Sequence, residues 1–239
     1  MNFFKRIQIR NAKKDSNYKE FFDAVEAGDI AKIRECLEKY DLNINLNASG
    51  AKCHSALHIA AKNKDIATMK FLLSEGAEIN LKNLVGNTPF MHSVENNSIV
   101  SLEFLLENGA DPTITNCYDV NVIMRATAHG NSETLKFLLA KLGNSMINDP
   151  DKHGNTALYY SINIAEISED STKILMQNHA NPFIKNKKGE SVFDHAIKLG
   201  KQYKIDIIES YAKAEAEYQN EDLYYSNYEV NDESISIYT

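Results

Sequence analysis

The chain of 239 residues has no tryptophan, only 4 prolines and 10 glycines, and just 3 cysteines. Nowhere does it hold an apolar run near the roughly 18 residues that a membrane-spanning helix requires. Three cysteines are too few, and odd in number, to staple a small secreted domain. Cys36, Cys53 and Cys117 are therefore expected as reduced thiols, and the chain as cytoplasmic. The low glycine and proline content excludes a collagen-like chain, and 43% hydrophobic with 25% charged residues excludes wholesale disorder. A formal charge of −7 is not the basic footprint of a nucleic-acid binder, so no nucleic-acid partner is expected. The start, Met1 to Ile7, mixes charge with apolar residues and lacks the apolar core and cleavage site of a secretory signal.

The charge is unevenly spread. Residues 1–14 carry Lys5, Arg6, Arg10, Lys13 and Lys14 with no acid, for +5, whereas residues 213–239 sum to −6. Three regions are expected: a basic lead-in over 1–17, a repeat domain over 18–212 and an acidic, tyrosine-containing tail over 213–239. The tail has high charge and no periodicity, which predicts disorder. Phe3, Phe4 and Ile7 among the basic residues have the makings of a membrane-touching amphipathic segment. The plainer expectation is a solvated lead-in that packs on the first unit, because one short element binds a bilayer only marginally.

What the sequence does have is internal repetition. Ser55-Ala56-Leu57-His58, Thr88-Pro89-Phe90-Met91, Asn121-Val122-Ile123-Met124, Thr156-Ala157-Leu158-Tyr159 and Ser191-Val192-Phe193-Asp194 start 33, 33, 35 and 35 residues apart. Each of the first four is followed by an apolar trio: Phe71-Leu72-Leu73, Phe104-Leu105-Leu106, Phe137-Leu138-Leu139 and Ile174-Leu175-Met176. Gly76-Ala77-Glu78-Ile79-Asn80 and Gly109-Ala110-Asp111-Pro112 close two units, Leu142-Gly143-Asn144 is a stretched closure and His179-Ala180-Asn181-Pro182 a variant. Ala56, Leu57, Ala60 and Ala61 sit at helical spacing and predict a short first helix with a small-residue face. Ile66, Met69, Leu72 and Leu73 make the stripe of a second helix, with Lys70 outside it. Gly76 supplies the left-handed conformation that ends it. One such pair cannot bury both faces, so the pairs must stack and the outermost units must be capped. Phe21, Phe22 and Val25, with Asp23 and Glu26 outward, predict the first cap; Lys198, Lys201, Gln202 and Lys204 predict a polar last one.

These residues resemble the ankyrin repeat, whose signature runs Gly-x-Thr-Pro-Leu-His-x-Ala-Ala, Gly-His, Val-x-x-Leu-Leu, Gly-Ala-Asp-x-Asn. The best copies are Ser55–Asn80 and Thr88–Asp111, and Ala128–Leu135 carries the middle of the signature. The resemblance implies an all-α solenoid of about six stacked helix-turn-helix units with hairpin-like turns. It departs at Cys53 and Asp119, where the family places glycine, and at Asn121-Val122 in place of Thr-Pro. A distorted turn is expected in the fourth unit. The segment 163–170 lengthens the connection inside the fifth.

Catalytic signatures are missing: no phosphate-cradling glycine loop, no Gly-x-Ser-x-Gly, no His-Glu-x-x-His and no paired Cys-x-x-Cys. Cys53-His54 reads as a surface turn rather than a nucleophile with its base, which must meet in space with a third group. His58 occupies the family's Thr-Pro-Leu-His position, where the resemblance implies that imidazole ties neighbouring turns. His92 and His195 fall one place further along the helix, and His129 and His153 are expected to be exposed. No pair has ligand spacing. Neither a metal, a cofactor nor catalysis is expected.

The family resemblance implies protein binding on the concave surface, by the turn tips and the first helices. Carried over by repeat phase, that surface holds Lys52, His54, Leu84, Val85, Asn87, Glu95, Asn96, Tyr118, Val120, His129, Lys152, His153, Asn155, Lys187 and Lys188. Leu84, Val85, Tyr118 and Val120 are expected to make an exposed apolar centre, and the lysines to suit an acidic segment of the partner. The resemblance also implies that Asn80 and Asn45, which end Leu-x₆-Ile-Asn patterns, are substrates for asparagine hydroxylation in a eukaryotic cytosol. The acidic tail is similar to the C-terminal secretion signals of bacterial type IV effectors, and the whole resembles ankyrin-repeat effectors of intracellular bacteria. A monomeric, non-catalytic binding module is expected, translocated to act on a host protein. The alternatives are a cytosolic scaffold or inhibitor of the producing cell's own proteins and an enzyme hidden in the atypical repeats.

Overall fold

The computed structural model describes residues 16–47, 53–163 and 171–213. Residues 1–15 of the lead-in, residues 48–52 with Lys52, the 164–170 connection and residues 214–239 lie outside the described residues. Among those described, the regular elements are helices, in six pairs. The pairs are α1 (Ser16–Ala27) with α2 (Ile30–Tyr40), α3 (Ala56–Lys62) with α4 (Ile66–Ser74) and α5 (Pro89–Glu95) with α6 (Ile99–Glu107). They continue as α7 (Val122–Ala128) with α8 (Ser132–Leu142), α9 (Ala157–Ile162) with α10 (Ser171–Gln177), and α11 (Val192–Lys198) with a helix over 202–213, α12. The chain is the expected solenoid.

Side chains that satisfy the orphan amides of the first turn set the helix starts. Asp29 accepts from Lys32 N at 2.9 Å, Asp65 from Thr68 N at 3.0 Å and Asn121 from Met124 N at 2.9 Å. Ser191 and Asp194 form a reciprocal capping box at the start of α11. Helix α4 stops because Gly76 takes φ 89°, which lets Ala77 N–H turn back to the Leu72 carbonyl at 2.9 Å.

Every unit then gives its apolar side chains to its neighbours. Leu57, Phe90, Ile123 and Leu158 on the first helices and Leu72, Leu105 and Leu138 on the second are buried in one core that runs from Phe21 to Ile208. Helix α3 packs on α4, its own partner, and on α5, the first helix of the next unit. The units are also stapled by asparagine: Asn45 Oδ1 accepts from Glu78 N at 2.7 Å, Asn80 Oδ1 from Asp111 N at 2.9 Å and Asn148 Oδ1 from Asn181 N at 2.8 Å.

Two sequence expectations fail here. Lys204 is not part of a polar outer surface; it is 1% exposed. Repeat phase explains this, since it stands in the row of Thr68, Ser101 and Thr134, all fully buried. Cys53 is not on a surface turn either: it is 4% exposed, with the backbone at φ 48°.

In a stack of this kind an interior lesion uncouples neighbours. Leu105 is fully buried on the stripe of α6, so Leu105→Ala is expected to cost about 2–5 kcal/mol. Urea unfolding measures this, and a surface-like loss below about 0.5 kcal/mol would refute the burial.

Candidate functional site

The four turn tips that are wholly described are built alike. A buried Asn or Asp opens each, and its side-chain oxygen accepts two backbone amides from inside the tip. Asn83 receives Val85 N at 3.1 Å and Asn87 N at 3.0 Å; Asn116 receives Tyr118 N at 2.8 Å and Val120 N at 3.1 Å. Asp151 receives His153 N at 2.7 Å and Asn155 N at 2.9 Å, and Asn186 receives Lys188 N at 2.9 Å and Glu190 N at 3.2 Å. The fourth unit is therefore not distorted: Asp119 adopts φ 58° where Gly86, Gly154 and Gly189 take φ 80°, 84° and 76°. Asp is among the residues that tolerate the left-handed region best.

Successive tips are joined to each other. Cys117 N donates to Val85 O, Lys152 N to Tyr118 O and Lys187 N to His153 O, each at 2.9 Å. This close approach fixes glycine at two tips, where a Cβ on Gly86 would stand 2.6 Å from Cys117 N and one on Gly154 2.8 Å from Lys187 N. The tips thus form one continuous edge.

Beneath that edge runs a buried polar network. The His58 Nε2–H donates to the Asn87 carbonyl at 2.8 Å, which leaves Nδ1 to accept the Ser55 hydroxyl at 2.7 Å. Asn87 Oδ1 accepts from Asn116 Nδ2 at 3.1 Å and from Arg125 Nη2 at 2.7 Å. Arg125 also pairs with Glu95, which accepts from His92 Nδ1 at 2.8 Å. Burial pushes the Glu95 carboxyl up, but the His92 hydrogen bond and the charges of His92, Arg125 and His129 outweigh it and leave it at about 2. Burial pulls Arg125 down, and Glu95 opposes that. Further along, Tyr160 donates to Asp151 at 2.6 Å and the Tyr159 ring stacks on His195 at 4.3 Å.

The candidate binding residues divide accordingly. Tyr118 is 55% exposed, and Lys152, His153, Lys187 and Lys188 are exposed in the tips that follow, whereas His129, also exposed, caps the far end of α7. His54, Glu95, Asn96 and Asn155 are half-buried. Leu84, Val85 and Val120 are also half-buried, so the expected open apolar centre shrinks to Tyr118. The reason is the bonding of each tip against the next, which covers part of Leu84 and Val85. Asn87, expected on the surface, is 3% exposed and committed to Arg125, Asn116 and His58. Sequence reasoning missed Asn83, Asn116, Asp151 and Asn186, although they recur 33, 35 and 35 residues apart. It also missed Arg125, which no repeat signature marks.

Comparison with known proteins agrees with this geometry. Residues 21–116 match the family model for ankyrin repeats, in 3 copies. That stretch consists of ankyrin repeats. Its fold is similar to that of EF0377, an ankyrin repeat protein, with 26% identity, a TM-score of 0.66 and coverage of 80% of this chain and 96% of that one. It is also similar to a chain of the complex between Bd0816, a predatory endopeptidase of Bdellovibrio bacteriovorus, and the immunity protein Bd3460. There the identity is 29%, the TM-score 0.67 and the coverage 80% of this chain and 97% of that one. No curated protein matches. Ankyrin repeats mediate protein–protein interaction and are in general non-catalytic. No described helix is long and apolar enough to cross a membrane.

His58 makes the network sensitive to pH. Burial lowers it from 6.5 to about 3, against the opposing pull of the Asn87 carbonyl. Between those values the unfolded chain binds a proton that the folded chain excludes, so the stability from neutral His58 is complete above pH 6.5 and is lost as pH falls. The unfolding free energy from urea titrations is expected to drop with a slope approaching about 1.4 kcal/mol per pH unit below that value. His58→Gln is expected to flatten the slope, and an unchanged slope in this variant would rule His58 out as its source.

Proposed function

We propose that this protein acts without catalysis, binding a partner protein along its edge of tips. The observation that carries the reading is Tyr118: an exposed aromatic on a hydrogen-bonded, pre-organised edge, followed along that edge by Lys152, His153, Lys187 and Lys188. A rigid aromatic anchor inside a polar rim is the anatomy of a binding hot spot, and the lysines suit an acidic stretch on the partner.

Two biological settings fit. The similarity of the acidic tail to type IV secretion signals supports a translocated effector that acts on a host protein. The similarity of the fold to a chain of an endopeptidase–immunity protein complex supports the other setting, a scaffold or inhibitor of the producing cell's own proteins. That structural likeness covers 80% of this chain and 97% of that one, which favours the second setting. Hydroxylation of Asn80, and more weakly of Asn45, belongs to the first. Both amides hold inter-unit bonds in the folded stack, so modification requires those junctions to open.

Affinity capture from host and from producing-cell lysates in parallel separates the settings by where a saturable partner is found. With that partner, Tyr118→Ala is expected to weaken binding by about 1–3 kcal/mol with thermal stability almost unchanged. Lys187→Glu with Lys188→Glu is expected mainly to slow association and flatten its salt dependence. Normal binding by Tyr118→Ala, with loss on substitution of the outer helices, would overturn the assignment of the edge.

A further inference from the structure

The two ends of the stack are not equivalent. At the N-terminal end Lys19, Asp23 and Glu26 face solvent, and Lys32 bridges Glu20 at 2.7 Å and Glu35 at 3.0 Å. No large apolar side chain of α1 or α2 is exposed. The sixth unit behaves otherwise. Phe193 holds the repeat position of Leu57, Phe90, Ile123 and Leu158, all buried, yet is itself only half-buried. Ile197 holds the position of Ala61, Val94, Thr127 and Ile162, which are fully buried, and is 54% exposed. Phe183 stands where Asn45, Asn80 and Asn148 bond to a following unit; it is 59% exposed, with its ring 6.3 Å from that of Phe193. The sixth unit therefore presents an internal unit's apolar surface, and no described unit covers it.

We infer that the chain's own residues 214–239 cover this end face. They follow directly on α12, which belongs to the same unit, so the tether holds them at an effective concentration on the order of millimolar. Their apolar residues include Leu223, Tyr224, Tyr225, Val230, Ile235 and Ile237, and they carry seven acids and no lysine or arginine. The sixth unit supplies the opposite charge: Lys185, Lys187, Lys188, Lys198 and Lys201 are all exposed. Of its own acids, Glu190 is engaged by Lys198 at 3.0 Å, Asp194 by Ser191 at 2.7 Å and Asp206 by Gln202 at 2.6 Å, while Glu209 is exposed on α12. A second copy of the chain fits the face less well, since it would bring the same lysines together. Terminal units of a solenoid need a polar outer surface, and an acidic segment that lays its apolar residues inward supplies one.

The test uses the full chain with Cys117→Ser and a nitroxide on Ser234→Cys, read by amide magnetic resonance. Phe183 and Val192–Lys198 are expected to lose peak intensity selectively, while α1 and α2 keep theirs. Ile197→Glu, at an exposed position, is expected to restore the lost intensity, as is high salt in part. Uniform loss, no loss, or loss that persists in Ile197→Glu would overturn the inference. So would equal loss when the nitroxide is carried only by a second, isotopically silent copy, because that outcome assigns the face to self-association.

Discussion

Each helix pair in this protein is apolar on two sides, and only another pair can cover them. That constraint governs the rest of the structure. It explains the small residues Ala56, Ala60 and Ala61 on α3 and the leucines Leu72, Leu105 and Leu138 on the second helices, all fully buried between units. It also makes stability a matter of neighbours, so that a unit is held by the units either side as much as by its own hydrogen bonds.

Stacking brings backbone tips together, and burying their amides demands partners. The structure answers with polar side chains inside the stack. Asn83, Asn116, Asp151 and Asn186 each satisfy two amides of their own tip, and the tips then bond to each other at 2.9 Å. His58, Asn87, Arg125 and Glu95 extend this satisfaction across three units. A buried Arg–Glu pair offers little net stability against an apolar replacement, but removal of one partner strands the other. The edge that carries Tyr118 is thus held by what lies under it.

The ends show the same constraint unmet. A polar first helix closes the N-terminal side, whereas Phe193 and Ile197 leave the sixth unit built like an internal one. Exposed apolar surface of this sort marks an interaction site, and the acid-rich residues beyond α12 match it in charge and in apolar content.

Periodicity alone determined the number of units and the phase of the buried stripes, because repeats 33 to 35 residues apart allow one stacking register; the structural role of His58 followed from the family resemblance. Even Lys204 was legible in principle, standing in the row of Thr68, Ser101 and Thr134, though its charge pointed the other way. Which polar residues are surface and which are mortar was not legible. Asn87 and Asn155 hold equivalent repeat positions, yet Asn87 is sealed in by Arg125 from the next unit while Asn155 stays half-open. A side chain reaching across a unit boundary leaves no local pattern in the sequence. Only the tertiary structure, by setting tip against tip, decided that Leu84 and Val85 are half-covered and that Tyr118 alone of the apolar tip residues stands clear.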